Sequence, residues 1–212
     1  MATVLSPPEQ RIVLENISWE MYESLLAAHR DRSTPRFVYD RGRLEIMSPS
    51  PEHEQLKETV VLLVNAVAEG LNLDTVGLGS TTFRREDLDR GFEPDGCFYI
   101  QSVEHVKGKN DLDLKIDPPP DLVIEIDITS PSIKKIPIFA RLGVPEVWRY
   151  DGQRWSILTL DGAEYVELAE SRVLPGLTCA MITDFLEESR TMRRPEWLRR
   201  VRQWAQQVQP KG

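Results

Sequence analysis

The segment that decides the fold reads Asp121-Leu122-Val123-Ile124-Glu125-Ile126-Asp127-Ile128, and its alternation is that of a β-strand. Successive side chains on a strand point to opposite faces. One face of this segment is wholly apolar, which is typical of a buried, central strand. The opposite face carries Asp121, Glu125 and Asp127, and the last two lie about 6.6 Å apart at a rise of ~3.3 Å per residue.

Neighbouring carboxylates inside a protein need a compensating charge or hydrogen bonds. A divalent cation is the simplest compensator, and oxygen ligands favour magnesium or manganese. The alternative is a solvated acidic face at one edge of the sheet. Asp95 favours the cluster, because it follows Pro94 and opens a second predicted strand, Gly96 to Ile100. Alternatively, Asp95 is the turn residue of a Pro-Asp-Gly sequence.

The segments before and after this strand carry clear signals for helices and turns. Ser18 can cap a helix from Trp19 to His29. Asp40-Arg41-Gly42 predicts a hairpin, and apolar residues at three- and four-residue spacing predict a long helix from Glu52 to Leu71. Ser130-Pro131-Ser132 is a helix-start pattern. Further strands are expected at Thr75 to Leu78, Thr81 to Arg84, Val144 to Tyr150, Trp155 to Leu160 and Ala163 to Leu168.

Strands, a crossover helix and then an antiparallel meander predict an α/β (α+β) fold with a mixed central β-sheet flanked by helices. We expect residues 1–15 to form a flexible leader and residues 16–190 a single domain. Residues 191–212 are predicted to form a C-terminal basic amphipathic helix with an aromatic stripe. Exposed aromatic residues on that helix favour a homodimer.

Composition limits the classes of protein to consider. The 212 residues are 41% hydrophobic and 28% charged, as in soluble globular proteins, and the net charge is −8. The sequence has neither a signal-peptide pattern nor an apolar run of the roughly 20 residues that span a bilayer, so a cytoplasmic location is expected. Cys97 and Cys179 predict neither a disulfide framework nor a zinc site. The acidity argues against non-specific coating of nucleic acid or membrane but is compatible with a local basic groove.

Two sets of motifs resemble known nucleases. Pro94-Asp95 and Glu125-Ile126-Asp127, with a lysine nearby, resemble the PD-(D/E)XK nuclease arrangement. Longer segments resemble the Uma family of putative restriction endonucleases, over a region from Trp19 to Leu186. These segments are Leu44 to His53, Pro120 to Ile126, Ser130 to Ser132 and Phe139 to Trp148. The resemblance implies a restriction-endonuclease-like core.

The resemblance also implies roles for individual residues. Asp95 and Glu125 would be metal ligands, with Mg²⁺ or Mn²⁺ as the ion. The superfamily usually has a lysine two residues after the glutamate, but Asp127 stands there. The family often carries its lysine on the following helix, where Lys135 matches and Lys134 is an adjacent alternative. Asp127 would then help to hold a second ion or accept a hydrogen bond from metal-bound water.

Two further residues are candidates for supporting positions around the acids. His53 lies at the head of the apolar stripe of the long helix and can therefore point towards the cluster. Glu45 alternates with Leu44 and Ile46, so it lies on the opposite face of its strand. We expect it to pair with Arg43 or Arg36 rather than to take part in catalysis.

These residues together predict a metal-dependent DNA endonuclease, with Arg84 and Arg85 contacting phosphates. The alternative is a catalytically silent nuclease-fold protein that binds nucleic acid or another protein, which the aspartate at position 127 favours. A third class, a glycosidase with a carboxylate pair, would need an aromatic-lined sugar cleft. No aromatic cluster surrounds Asp95 or Glu125 in the sequence.

Overall fold

The computed structural model describes residues 9–30, 32, 34–128 and 133–208, which form two β-sheets and six α-helices. The smaller sheet has five antiparallel strands in the order β1-β3-β2-β6-β5. Its strands are β1 (Gln10–Leu14), β2 (Arg36–Asp40), β3 (Arg43–Ser48), β5 (Phe83–Arg85) and β6 (Arg90–Phe92).

The larger sheet has six strands and contains the acidic segment near its centre. Its strands are β4 (Val76–Gly77), β7 (Gly96–Tyr99), β8 (Leu122–Ile126), β9 (Glu146–Tyr150), β10 (Trp155–Asp161) and β11 (Glu164–Leu168). Their order is β11-β10-β9-β8-β7-β4, with β8 and β9 parallel and the other pairs antiparallel. The sheet is therefore mixed, as the sequence predicts.

The helices cover the faces of the two sheets. They are α1 (Trp19–Ala28), α2 (Pro51–Gly70), α3 (Val103–Val106), α4 (Ile136–Arg141), α5 (Cys179–Thr191) and α6 (Arg194–Val208). The helix α4 connects β8 to β9, and such a crossover is what a parallel pair requires. None of the helices in the described part of the chain combines the length and the apolar composition that crossing a bilayer requires.

Three apolar clusters hold these elements in layers. The apolar face of β8 packs with α2, α5 and α6 in the largest cluster. The other face of the large sheet packs with α4 and the small sheet, and Val123 of β8 belongs to that second cluster. The outer face of the small sheet packs on α1. Because side chains alternate along β8, Glu125 shares the face of Val123 and lies between the two sheets.

Local sequence signals explain the start of α2 and the turn between β2 and β3. Ser50 caps α2 by accepting a hydrogen bond from the His53 amide at 3.2 Å, and Pro51 occupies the first turn. The turn between β2 and β3 has positive φ at both Arg41 (48°) and Gly42 (84°). A two-residue hairpin turn with this geometry matches the twist of the strands. The predicted hairpin is therefore confirmed.

Several elements differ from the prediction. Residues 10–14, expected in a flexible leader, form β1 and pair with β3 along its length. The strand β6, the helix α5 and the short helix α3 were not predicted. The predicted helix start at Ser130-Pro131-Ser132 lies outside the described residues, as do positions 1–8 of the leader and 209–212 of the tail.

Gly91 leaves the space that Tyr22 occupies between α1 and the small sheet. Tyr22 is fully buried and stacks on Tyr39 with ring centroids 4.7 Å apart. A methyl group at Gly91 would overlap the Tyr22 hydroxyl. We expect Gly91→Ala to destabilise the protein by about 1–3 kcal/mol, measured by urea denaturation, because overpacking forces buried groups apart.

The matched control is Tyr22→Phe, which removes only the overlapping hydroxyl. That hydroxyl is buried without a hydrogen-bond partner among the described residues, so its loss alone should cost little. The double variant Tyr22→Phe/Gly91→Ala should recover part of the lost stability. Equal stability of Gly91→Ala and the wild type would contradict this account of the packing.

Candidate active site

Two neighbouring strands bring Asp95 and Glu125 together. Gly96 of β7 pairs with Ile124 of β8 in antiparallel register. Extending that register by one residue puts Asp95 directly across from Glu125, so their side chains share one face of the sheet. Both residues are 1% exposed. The acids therefore form a buried pair rather than a solvated face at the sheet edge.

Lys135 joins this pair from the residue that precedes α4. Its Nζ forms an ion pair with Glu125 Oε1, and the side chain is buried. Lys134, the adjacent alternative, is exposed. The structure therefore brings Lys135 to the acids, at the amino-terminal cap of α4 rather than within the helix.

Backbone and side-chain groups hold Asp95 on its other side. Asp95 Oδ2 accepts a hydrogen bond from the Ile126 amide at 2.6 Å. His53 Nε2 lies 3.2 Å from Asp95 Oδ1 and 3.1 Å from the Ile126 carbonyl oxygen. The imidazole is fully buried, so the first turn of α2 packs directly on the acids. The position predicted for His53 beside the cluster agrees with this arrangement.

A buried arginine is the second cation of the cluster. Arg36, the first residue of β2, is 3% exposed and forms an ion pair with Asp95. Its Nη2 also lies 2.5 Å from Glu54 Oε1, at the start of α2. Burial lowers the pKa of Arg36, and the charges of Glu54 and Glu125 oppose that shift. The small sheet thus contributes a positive charge to acids carried by the large sheet.

The electrostatics of Glu125 are dominated by its burial. Burial raises the pKa of Glu125, Lys135 lowers it, and the nearby charge of Asp127 raises it further. Glu125 Oε2 is buried and has no hydrogen-bond partner among the described residues. One oxygen of this carboxylate is therefore held by the lysine, and the other is left for a further partner.

Asp127 pairs with a residue that the sequence did not single out. Asp127 Oδ2 accepts a hydrogen bond from Arg149 Nε at 2.8 Å. Asp127 Oδ1 is buried and lacks a hydrogen-bond partner within the described ranges. Arg149 stands on β9, and its Cα is the register partner of Glu125. The position where the superfamily usually has a lysine is thus an aspartate, and this aspartate binds an arginine of the next strand.

The remaining predicted residues lie in other surroundings. Glu45 is fully buried, pairs with Arg11 at 2.5 Å and accepts a hydrogen bond from the Ile133 amide at 3.1 Å. The expected partners were wrong, since Arg43 pairs with Glu15 and Arg36 with Asp95 and Glu54. Sequence alone could not identify Arg11, because it belongs to a segment that was expected to be a flexible leader.

The two predicted phosphate-binding arginines also have other partners. Arg84 pairs with Glu23 at 2.7 Å, and Arg85 pairs with Asp87 at 2.6 Å. Both arginines lie on β5 at the edge of the small sheet. These described ion pairs do not connect them to Asp95 or Glu125.

Sequence reasoning missed Arg36 and Arg149 as members of the cluster. Arg36 was considered only as a partner of Glu45, because its contact with Asp95 joins two sheets and leaves no local pattern. Arg149 gave one signal, a charge inside the otherwise apolar segment Val147-Trp148-Arg149-Tyr150. Among the described residues, no group of three or more His, Cys, Asp or Glu side chains is arranged to hold a metal ion.

Known proteins resemble this chain in fold and in sequence. A crystal structure of a putative nuclease belonging to DUF820, from Anabaena variabilis ATCC 29413, matches with a TM-score of 0.50 and 18% identity. The match covers 73% of this chain and 93% of that one, and at this identity it shows a shared fold. No curated protein matches the chain significantly. Residues 19–190 match the model of the Uma2 family, described as putative restriction endonuclease, and the chain therefore belongs to that family.

Proposed function

We propose that this protein is a metal-dependent endonuclease that hydrolyses phosphodiester bonds of DNA. The observation that carries the proposal is the buried Glu125–Lys135 ion pair, with Asp95 on the neighbouring strand. Desolvating two carboxylates and a lysine is costly for stability, so such a cluster is a candidate for function. Membership of the Uma2 family and the shared nuclease fold support the same reaction class.

The donor chemistry of the cluster fits a hard divalent cation. Magnesium takes oxygen ligands and is commonly held by one or two carboxylates, with water and substrate phosphate completing its shell. Asp95 and Glu125 provide the two carboxylates, and Glu125 Oε2 has no hydrogen-bond partner among the described residues. These two residues would hold Mg²⁺ or Mn²⁺. The bound ion would supply Lewis acidity to the phosphate and to the attacking water.

The residues of the chain supply orientation and charge. Hydrolysis forms a bond from a water oxygen to phosphorus and breaks the bond from phosphorus to the leaving oxygen, which takes up a proton. Lys135 stands beside Glu125, where its ammonium group can orient the water or neutralise the phosphate charge. The Ile126 amide and His53 hold Asp95 and keep its carboxylate in a fixed orientation. The packing of α2 and α4 excludes bulk water and strengthens these interactions.

A catalytically silent binding protein is the second candidate, and a specific observation favours it. Each of the three acids has a cationic partner: Arg36 for Asp95, Lys135 for Glu125 and Arg149 for Asp127. The cluster can therefore be stable without a metal ion. On this account the same face of the protein would bind nucleic acid or another protein without cleaving it.

Cleavage of plasmid and single-stranded DNA by the purified protein distinguishes the two candidates. We expect cleavage with Mg²⁺ or Mn²⁺ and none with a chelator. Asp95→Asn and Glu125→Gln keep the shape of each side chain and remove the ligand charge, so both should reduce cleavage to the level of the chelator control. Activity that persists in both variants would assign the cleavage to a contaminant, and inactivity of the wild type with either ion would favour the silent protein.

A further inference from the structure

Three adjacent strands of the large sheet place charged residues in one row. Asp95 precedes β7, Glu125 lies on β8, and Arg149 on β9 is the register partner of Glu125. Residues in register on neighbouring strands share a face of the sheet. Arg149 therefore extends the acid pair sideways by one strand and adds a positive charge to it.

Arg149 differs in its exposure from the other two cations that contact the acids, Lys135 and Arg36. Its side chain is 34% exposed, whereas those of Lys135 and Arg36 are 4% and 3% exposed. The row thus reaches solvent at Arg149. A phosphate approaching the buried acids from this side would meet a positive charge before it met the carboxylates.

Asp127 holds the guanidinium of Arg149 in place. The bond from Nε to Asp127 Oδ2 is 2.8 Å long, and the aspartate side chain is only 6% exposed. A guanidinium has five N–H donors, and this bond uses the single donor on Nε. The two terminal amino groups, which have the fork geometry that binds phosphate oxygens in pairs, are not used by that bond.

We propose that Arg149 binds a phosphate group of the nucleic acid beside the Asp95–Glu125 pair and that Asp127 is its positioning residue. The inference rests on the proposed function, since it names the group that receives the substrate at that site. It gives Asp127 a role other than the metal ligation predicted from sequence. Lys135 takes the place of the superfamily lysine beside Glu125, and Arg149 adds a second cation from the next strand, held by Asp127.

Binding of a short fluorescein-labelled DNA duplex, measured by anisotropy in the presence of a chelator, tests this assignment without requiring turnover. Arg149→Ala should weaken binding roughly tenfold or more, as expected for a charge-assisted hydrogen bond. The slope of log affinity against log salt concentration should fall by about one. Arg149→Lys should keep the slope and recover part of the affinity, because it keeps the charge but loses the fork.

Arg154→Ala is the matched control. Arg154 is a surface arginine beside the same sheet, and it pairs with Glu167 at 2.5 Å. It should leave both affinity and slope unchanged. Asp127→Asn should weaken binding less than Arg149→Ala does. The double variant should bind no more weakly than Arg149→Ala alone. In the DNA-cleavage assay, Arg149→Ala should raise KM more than it lowers kcat. Thermal melting checks that each variant folds.

The outcomes separate this inference from the proposed function. Wild-type cleavage with binding and KM unaffected by Arg149→Ala would overturn the role of Arg149 and leave the nuclease intact. Binding that depends on Arg149 without any cleavage would support its role and overturn the nuclease. Absence of DNA binding by the wild type would overturn the role of Arg149, and absence of cleavage as well would overturn the nuclease.

Discussion

Lys135→Met is expected to lower kcat for DNA cleavage by roughly 10²–10³, the loss typical of removing one group that stabilises developing charge. The same substitution should also destabilise the fold. Removing one member of a buried ion pair costs about 3–5 kcal/mol, because the other charge stays buried without a partner. Glu125 is that charge, and it is 1% exposed. Single-turnover cleavage and urea denaturation measure the two effects separately.

The stability loss should depend on pH in a defined direction. Burial raises the pKa of Glu125, and Lys135 opposes that rise. Without the lysine, the folded-state pKa lies further above the unfolded value. A carboxyl group whose pKa is higher in the folded state than in the unfolded state contributes stability below its unfolded pKa. It loses that contribution as the pH rises through its folded pKa. The difference between Lys135→Met and the wild type should therefore grow as the pH rises and shrink as it falls.

Two further variants complete this test. Lys134→Met changes the adjacent lysine, which is exposed, and should alter neither activity nor stability. The double variant Lys135→Met/Glu125→Gln removes both charges and should recover most of the stability but none of the activity. A Lys135→Met protein that cleaves at the wild-type rate would remove Lys135 from the mechanism, whatever its stability.

The features predicted correctly from sequence are those set by local periodicity or by turn chemistry. Strict alternation identified β8 and its two faces, and the Asp40-Arg41-Gly42 turn identified the β2–β3 hairpin. The long helix α2 followed from apolar residues at three- and four-residue spacing. Each of these signals lies within about 20 residues, so no knowledge of distant contacts is needed to read it.

The features that were missed depend on contacts between distant parts of the chain. The strand β6 has three residues, one of them Gly91, and exists because it pairs with β2 and β5. The separation into two sheets has the same origin. Arg36 reaches Asp95 only because β2 packs over the acidic face of the large sheet. Such contacts leave no spacing pattern along the sequence.

Helix α6 lies in the segment 191–212, which was predicted as a C-terminal helix outside the single domain of residues 16–190. The match to the Uma2 family ends at residue 190, before α6 begins at Arg194. However, Trp197, Val201 and Ala205 are at most 2% exposed and belong to the largest apolar cluster. Trp197 Nε1 also donates a hydrogen bond to the Phe185 carbonyl oxygen at 2.7 Å. These contacts make α6 part of the core.

We therefore expect a chain that ends at Thr191 to lose most of its stability, because a domain of this size has only about 5–15 kcal/mol to lose. Trp197→Ala in the full chain should cost about 3–5 kcal/mol, as for other buried aromatic truncations. Trp197→Phe keeps most of the apolar surface and should cost less, so it isolates the hydrogen bond to Phe185. Arg199→Ala, on the exposed side of the same helix, should be neutral.

If the shortened chain unfolds at the same urea concentration as the full one, α6 is an appendage and the division near residue 190 is real. If it unfolds earlier, the core of this chain extends past the end of the family match, and α6 stabilises the scaffold that carries Asp95 and Glu125.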